Sequence, residues 1–170
     1  MRRAPGKARY DEPTVHAVID AVPICHVGVA LGDGDVVVLP FLHARSGSTV
    51  YLHGSRSNRL LRAMVAAARV CATFTSFDGL RVARTGFHSS VTYRSAVAFG
   101  PARLVEDRAE RERALDLLVE TILPGRVAEV RRPSATELAL TSVVALEVLE
   151  ASAKLSEGPT DDEPADVESP

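Results

Sequence analysis

The sequence predicts a mainly β protein, a mostly antiparallel barrel with helices packed around it. Its apolar residues form about seven strand-length segments, nearly all joined by short turns rich in glycine, serine or aspartate. Parallel strands need long crossovers, and most of those crossovers are missing here. Closing the sheet hides its edges, so a barrel is favoured over an open sheet. The predicted strands are residues 24–31, 36–42, 49–52, 70–75, 80–87, 93–105 and 141–154.

Glycine-containing turns separate these strands. Gly32-Asp33-Gly34 joins two strands, so it is interpreted as a hairpin turn rather than as a dinucleotide-binding loop, which would precede a helix. Gly100-Pro101 lies in the middle of the strand predicted at 93–105, where a bend or bulge is expected because proline cannot donate to the ladder. Two further turns are predicted at 45–48 and 77–79.

Helices are predicted where apolar residues recur with the helical period. Asp107 with Glu110 and Ser134 with Glu137 have the spacing of a capping box, so each pair is expected to begin a helical segment. The predicted helical segments are residues 14–21, 57 or 58 to about 68, 107–123, and a short turn starting at 134.

The composition indicates one globular domain with a sizeable core, since 46% of the 170 residues are hydrophobic. A net charge of -2 argues against a dedicated nucleic-acid binder. No apolar run reaches the roughly 20 residues that span a bilayer, and the N-terminus does not resemble a secretory signal. We therefore expect a cytoplasmic protein without a membrane partner. The domain is predicted at 11–155, between a flexible basic arm at 1–10 and a disordered acidic tail at 156–170.

Neither the cysteines nor the histidines form a recognisable metal or redox motif. Cys25 and Cys71 lie in separate apolar segments and are expected to be free thiols. The histidines lack the HxxH or HxxxH spacing of a metal site, so no metal ligand is predicted, and no catalytic triad is evident. The histidines are His16, His26, His43, His53 and His88.

The segment from Thr49 to Arg62 predicts an anion site, because a strand passes through His53-Gly54-Ser55 into a helix rich in arginine. A helix N-terminus offers backbone N–H groups and partial positive charge, which favour a phosphate monoester. Serine hydroxyls and the forked donors of Arg59 would add to that site. The same pattern is also compatible with a capped surface helix whose arginines only keep it soluble.

Three segments together resemble the pyridoxamine-phosphate-oxidase-like flavoproteins, most closely the subgroup of the nitroimidazole-resistance proteins. His53-Gly54-Ser55 with Arg59 resembles the phosphate turn of that family, and Val38-Leu39-Pro40-Phe41 resembles the strand along its flavin ring. Residues 83–100, ARTGFHSSVTYRSAVAFG, resemble its signature FHHSxNYRSVVxFG.

The resemblance implies an FMN-binding split β-barrel that forms a homodimer with the cofactor at the subunit interface. Ser55 and Arg59 would hold the FMN phosphate, with His53 and Gly54 beside it. The flavin ring would be lined by Leu39, Pro40 and Phe41. Tyr93, Arg94 and Ser95 would lie near the cofactor or the interface.

The implied function is an FMN-dependent oxidoreductase acting on a small planar electron acceptor, with no catalytic side chain required. Thr92 stands where the signature has Asn, and Leu60 where relatives carry a second basic residue. A C-terminal segment with arginine and tryptophan is missing, so pyridoxine phosphate is not the expected substrate. The alternatives are a non-catalytic flavin-binding or sensing protein, and a relative that binds a deazaflavin or haem.

Overall fold

The computed structural model describes residues 5–32, 34–160 and 162–168. Asp33, within the first predicted hairpin turn, lies outside the described residues, as do residues 1–4 of the predicted arm. The strands are β1 Ala8–Arg9, β2 Ile24–Ala30, β3 Val36–Ser46, β4 Thr49–Ser55, β5 Val70–Arg81, β6 Ser90–Gly100, β7 Ala102–Leu104, β8 Thr141–Glu147 and β9 Glu150–Ser156. The helices are α1 Glu12–Asp20, α2 Arg59–Ala66, α3 Arg108–Ile122, α4 Ala135–Leu140 and α5 Pro164–Val167, with 3₁₀ turns at Pro5–Lys7 and Arg126–Glu129.

The described strands form one antiparallel sheet in the order β1-β9-β6-β5-β2-β3-β4-β8-β7. The long strand β3 belongs to both halves of it. Its first part pairs with β2 from Ala30↔Val36 to Ile24↔Leu42, and its second part pairs with β4 from His43↔Leu52 onward. β3 and β4 therefore separate at Leu42, which gives the predicted antiparallel split barrel.

The predicted break at Gly100-Pro101 is confirmed, because the chain passes there from β6 in one half of the sheet to β7 in the other. A Cβ atom at Gly100 would lie 1.6 Å from the carbonyl oxygen of Glu147, so only glycine fits this crossing. The prediction of a single strand at 141–154 is wrong, because that strand is interrupted beside the same crossing. It divides into β8 and β9 at Val148–Leu149, where the Leu149 N–H donates to the Phe99 carbonyl at 2.9 Å.

Three other local predictions are corrected. The turn predicted at 77–79 is a bulge inside β5, which continues to Arg81, and residues 82–87 form no strand. The turn predicted at 45–48 is confined to Gly47 and Ser48, since Arg45 and Ser46 belong to β3 and pair with β4. Ladder pairing with the neighbouring strand overrides the local turn preference in both places.

α3 and α4 begin where their capping residues predicted, whereas α1 begins at Glu12, two residues before the predicted Thr14, because Asp11 caps it. Asp107 accepts a hydrogen bond from the Glu110 N–H at 2.7 Å, and Ser134 and Glu137 form a complete capping box. Buried side chains fix α1 and α2 on the barrel, where they close its core. These side chains are Val15, Val18 and Ile19 from α1 and Leu60, Leu61 and Met64 from α2.

The described part of the acidic segment contacts the rest of the molecule. Asp162 accepts a hydrogen bond from the Arg84 N–H at 2.9 Å, and Ser156 is buried at the end of β9. Disorder of the segment as a whole stays a prediction. No helix among the described residues is long and apolar enough to cross a bilayer.

Candidate functional site

The residues predicted as a turn, His53-Gly54-Ser55, instead form the last part of β4. They pair with Val143, Ser142 and Thr141 of β8, which satisfies backbone groups that a turn would leave free. A Cβ atom at Gly54 would lie 3.1 Å from the Leu61 side chain and 3.3 Å from that of Asn58. Glycine at this position therefore lets the first turn of α2 pack closely on the strand end.

The N-terminus of α2 is already capped by Asn58. Its side-chain oxygen accepts hydrogen bonds from the N–H groups of Leu60 at 2.9 Å and Leu61 at 3.3 Å. Two of the amides that the sequence offered to an anion are thus satisfied inside the protein. Binding of an anion here depends on hydroxyl groups and arginine side chains more than on the helix N-terminus.

The loop between β4 and α2 presents those groups. The hydroxyl oxygens of Ser55 and Ser57 are 2.9 Å apart, and both residues are exposed. Arg56, Arg59 and Arg62 follow on the same short stretch, and none of them takes part in an ion pair among the described residues. We call residues 55–62 the open corner, because these exposed arginines have no ion-pair partner among the described residues.

A cavity of about 580 Å³ lies beside the open corner, between α2, α3 and β8. Its walls combine aliphatic residues with three basic residues, Arg56, Arg62 and Arg111, and one acidic residue, Glu106. The Nε atom of Arg111 is buried without a hydrogen-bond partner. Since an unsatisfied buried donor is costly, this atom indicates a place where a ligand oxygen or water can bind. We call this space the arginine cavity.

A second cavity, also of about 580 Å³, lies on the other face of β4, below α3 and α4. His53 forms part of its wall, and its Nδ1 atom is buried without a hydrogen-bond partner. Burial lowers the pKa of the His53 imidazole. We call this space the histidine cavity. It meets the arginine cavity at Thr141, which lines both.

The predicted ring-lining residues lie on β3, before its separation from β4. Leu39 and Pro40 are exposed, whereas Phe41 is 8% exposed and belongs to the core. They pair with Val27, His26 and Cys25 of β2. Because side chains alternate along a strand, Leu39 and Phe41 lie on one face of β3 and Pro40 on the other, so the two exposed residues do not form one continuous surface.

The third predicted group, Tyr93, Arg94 and Ser95, lies at the far end of the hairpin formed by β5 and β6. Arg94 donates from Nε and Nη2 to the Asp78 carboxylate, each at 2.9 Å, and the Lys154 ammonium donates to the Tyr93 hydroxyl. The Arg94 guanidinium lowers the pKa of Asp78 to about 2. β2 and β5 separate this group from the residues on β3.

One chain thus brings His53, Gly54, Ser55 and Arg59 together and keeps the other two groups apart from them. Sequence reasoning did not select Arg111 or Thr141. Arg111 follows the cap of α3 by one turn and Thr141 begins β8, so only the packing of those elements places them beside the open corner.

Comparison with known proteins agrees with the family resemblance of the sequence. A family model described as pyridoxamine 5'-phosphate oxidase matches residues 11–155. The flavocytochrome Anf3 from Azotobacter vinelandii is 35% identical with a TM-score of 0.88, covering 98% of this chain and 77% of that one. The FAD and heme binding protein from Mycobacterium smegmatis is 36% identical with a TM-score of 0.87, covering 95% and 78%.

A more distant solved structure shares the fold. It is described as a 5-nitroimidazole antibiotic resistance protein from Bacteroides thetaiotaomicron and is 21% identical, with a TM-score of 0.73, covering 87% of each chain. No curated protein matches the sequence.

Proposed function

Because this chain belongs to the pyridoxamine 5'-phosphate oxidase family, we propose that it binds a flavin and acts as an oxidoreductase on a small planar electron acceptor. The bound flavin would supply electron or hydride transfer, while the protein positions it and excludes water. The observation that carries this proposal is the open corner, where arginines without an ion-pair partner in the described part of the chain lie beside two serine hydroxyls.

Each of these groups suits a flavin phosphate. Ser55 can donate through its hydroxyl, and Arg59 is exposed beside it with its guanidinium unpaired among the described residues. Arg56 and Arg62 line the adjacent arginine cavity, so their charge adds to the same positive region. Charge-assisted hydrogen bonds to phosphate are the strong class, each contributing roughly 1.5–3 kcal/mol. His53 and Gly54 continue the strand beside the phosphate position.

The isoalloxazine ring is proposed to lie along Leu39, Pro40 and Phe41, in a groove closed by a second copy of the chain. Exposed apolar side chains support an interface on this part of the sheet, since Val36 and Val38 on the same strand are 68% and 57% exposed. In a homodimer the partner can also bring Tyr93, Arg94 and Ser95 near the cofactor, with Arg94 still paired to Asp78, whereas one chain keeps this group distant from its own open corner.

Whether the flavin is FMN or FAD can be tested directly by titration. The resemblance implies FMN, whereas the Mycobacterium smegmatis relative is described as binding FAD. Both carry a phosphate for the open corner, and FAD adds an adenosine monophosphate portion. Titrating the apoprotein with each while following flavin fluorescence gives two dissociation constants, and tighter binding of FMN would support the original prediction.

An anaerobic reduction experiment then distinguishes catalysis from passive flavin binding. Under anaerobic conditions, the flavin-loaded protein is mixed with NADH, NADPH or a reduced flavin system, and the flavin absorbance is followed. Bleaching followed by reoxidation on adding a nitroaromatic or quinone supports an oxidoreductase. Reduction by none of these donors would favour the alternative, a non-catalytic flavin-binding or sensing protein. Failure to bind any flavin would overturn the proposal.

Haem binding is the second candidate function. It is favoured by the two relatives above 30% identity, one described as a flavocytochrome and the other as binding FAD and heme. The histidine cavity provides a separate space on the opposite face of β4 from α2, so both cofactors could be held by one chain.

A further inference from the structure

The histidine cavity has walls unlike those of a site for a small polar ligand. Its lining is mainly aliphatic, and its volume of about 580 Å³ falls within the range of cofactor pockets, roughly 300–1,000 Å³. Six apolar residues from α3, α4 and the segment between them dominate it. They are Leu115, Leu118, Val119, Ile122, Val130 and Leu138.

Large apolar side chains are left exposed at its edge. Ile122 is 49% exposed and Val130 41% exposed, although both line the cavity. Apolar residues of this size are normally covered in a folded domain, and an uncovered group of them marks a ligand or partner site. An apolar group occupying the cavity would cover both.

A single imidazole faces this apolar space. The His53 ring makes no hydrogen bond with any described residue, and its Nδ1 atom is fully buried. His43 on the neighbouring strand differs, because its Nε2 atom lies 3.2 Å from the Ile19 carbonyl oxygen and its ring packs edge-on against Phe74. The buried Nδ1 atom of each ring lacks a hydrogen-bond partner, but His43 is held in the core through Nε2, whereas His53 lines the cavity.

The surroundings of His53 exclude most other metal centres. A protein site for zinc has three or four side-chain ligands, and the described residues contain no group of three or more His, Cys, Asp or Glu positioned to hold a metal. An iron porphyrin brings four of its own nitrogen ligands. It therefore needs only one imidazole and an apolar envelope from the protein.

We propose that the histidine cavity binds haem, with the His53 imidazole as an axial ligand of the iron. This rests on the haem-binding part of the proposed function and assigns its site. Burial lowers the pKa of the imidazole, which favours the neutral form that binds a metal. Two charged residues, Arg131 and Glu137, also line the cavity, and they are paired with each other at 2.7 Å.

The test is haem titration of the apoprotein, followed by the Soret absorption band, in wild type and three variants. His53→Ala removes the ligand, and its dissociation constant for haem is expected to rise at least tenfold. Added imidazole should restore the wild-type spectrum. His53→Tyr keeps a ligand of different chemistry, so its absorption bands are expected to shift. The matched control is His26→Ala, an exposed histidine on β2, which should bind like wild type.

The outcomes are distinguishable. Wild-type affinity and an unchanged spectrum in both His53 variants would overturn this assignment while leaving haem binding intact. A wild-type protein that binds no haem would overturn both the assignment and the second candidate function, without touching the flavin proposal. If circular dichroism shows that His53→Ala is misfolded, His53→Tyr provides the test. A shift of its absorption bands would support His53 as the ligand, and unshifted bands would overturn the assignment.

Discussion

The open corner and the far end of the hairpin of β5 and β6 both carry arginines, but the two regions differ in whether an acidic side chain pairs with them. At the hairpin end, Arg94 donates to the Asp78 carboxylate at 2.9 Å and to the Ser76 hydroxyl at 3.3 Å. At the open corner, Arg56, Arg59 and Arg62 have no acidic partner among the described residues.

The difference separates a structural arginine from one available to a ligand. A guanidinium that already binds a carboxylate must give up that partner before it can bind a phosphate, whereas an unpaired one gives up only water. The predictions below test this contrast, beginning with the largest expected effect.

Arg59→Ala is expected to raise the dissociation constant for flavin by roughly 10- to 100-fold, the equivalent of one charge-assisted hydrogen bond. Fluorescence titration of the apoprotein measures it. The stability of the unliganded protein should stay within about 0.5 kcal/mol of wild type, since the side chain is exposed. Arg113→Ala, an exposed arginine on α3, is the matched control, and an equal effect of both would remove Arg59 from the site.

Asn58→Asp should separate helix capping from ligand binding at the open corner. Aspartate caps a helix about as well as asparagine, so stability is expected to change by less than about 0.5 kcal/mol. The added negative charge should weaken flavin binding by about two- to fivefold. Chemical denaturation and flavin titration measure the two effects. Unchanged affinity would show that the phosphate lies beyond the reach of this side chain.

Arg94→Ala should affect stability rather than flavin affinity, because the Arg94–Asp78 pair is partly exposed and such pairs stabilise a fold only weakly. Urea denaturation measures the loss. A tenfold or larger loss of flavin affinity would contradict this contrast. It would show instead that Arg94 leaves Asp78 to bind the cofactor, as the family signature implies.

The smallest effect is a pH dependence at the same pair. Hydrogen bonds from Arg94 and then Ser76 lower the pKa of Asp78 from 3.8 to about 2. The native state thus favours the carboxylate more than the unfolded chain does. Its stabilising contribution is complete above pH 4 and disappears as the pH falls through about 2. Wild type and Asp78→Asn should therefore differ in stability by a constant amount from neutral pH to about pH 4, and converge below it.

Local signals predicted much of the fold because they act over a few residues. Asp107 and Ser134 cap α3 and α4 as their spacing indicated, and Gly100-Pro101 breaks the ladder where proline removes a donor. The strand predicted at 80–87 failed, because pairing with β6 carries β5 only to Arg81 and nothing pairs with the residues that follow. Strand limits depend on a partner that local sequence does not contain.

The residues of the candidate site were likewise only partly predictable from the sequence. The segment His53-Gly54-Ser55 with Arg59 was identifiable because its residues are neighbours in sequence. Arg111 and Thr141 were not, since α3 and β8 reach the corner only after folding. Asn58 was also missed as a cap, and its occupation of the helix amides changes which groups are left for an anion.

By itself, the sequence determined the antiparallel barrel class, the starts of α3 and α4 and the positive stretch that follows β4, because each depends on residue type and short spacing. Tertiary structure alone decided which arginines remain unpaired, that His53 faces an apolar cavity, and that Thr141 joins the two cavities. The physical reason is that charge compensation and burial are set by atoms brought together from distant parts of the chain.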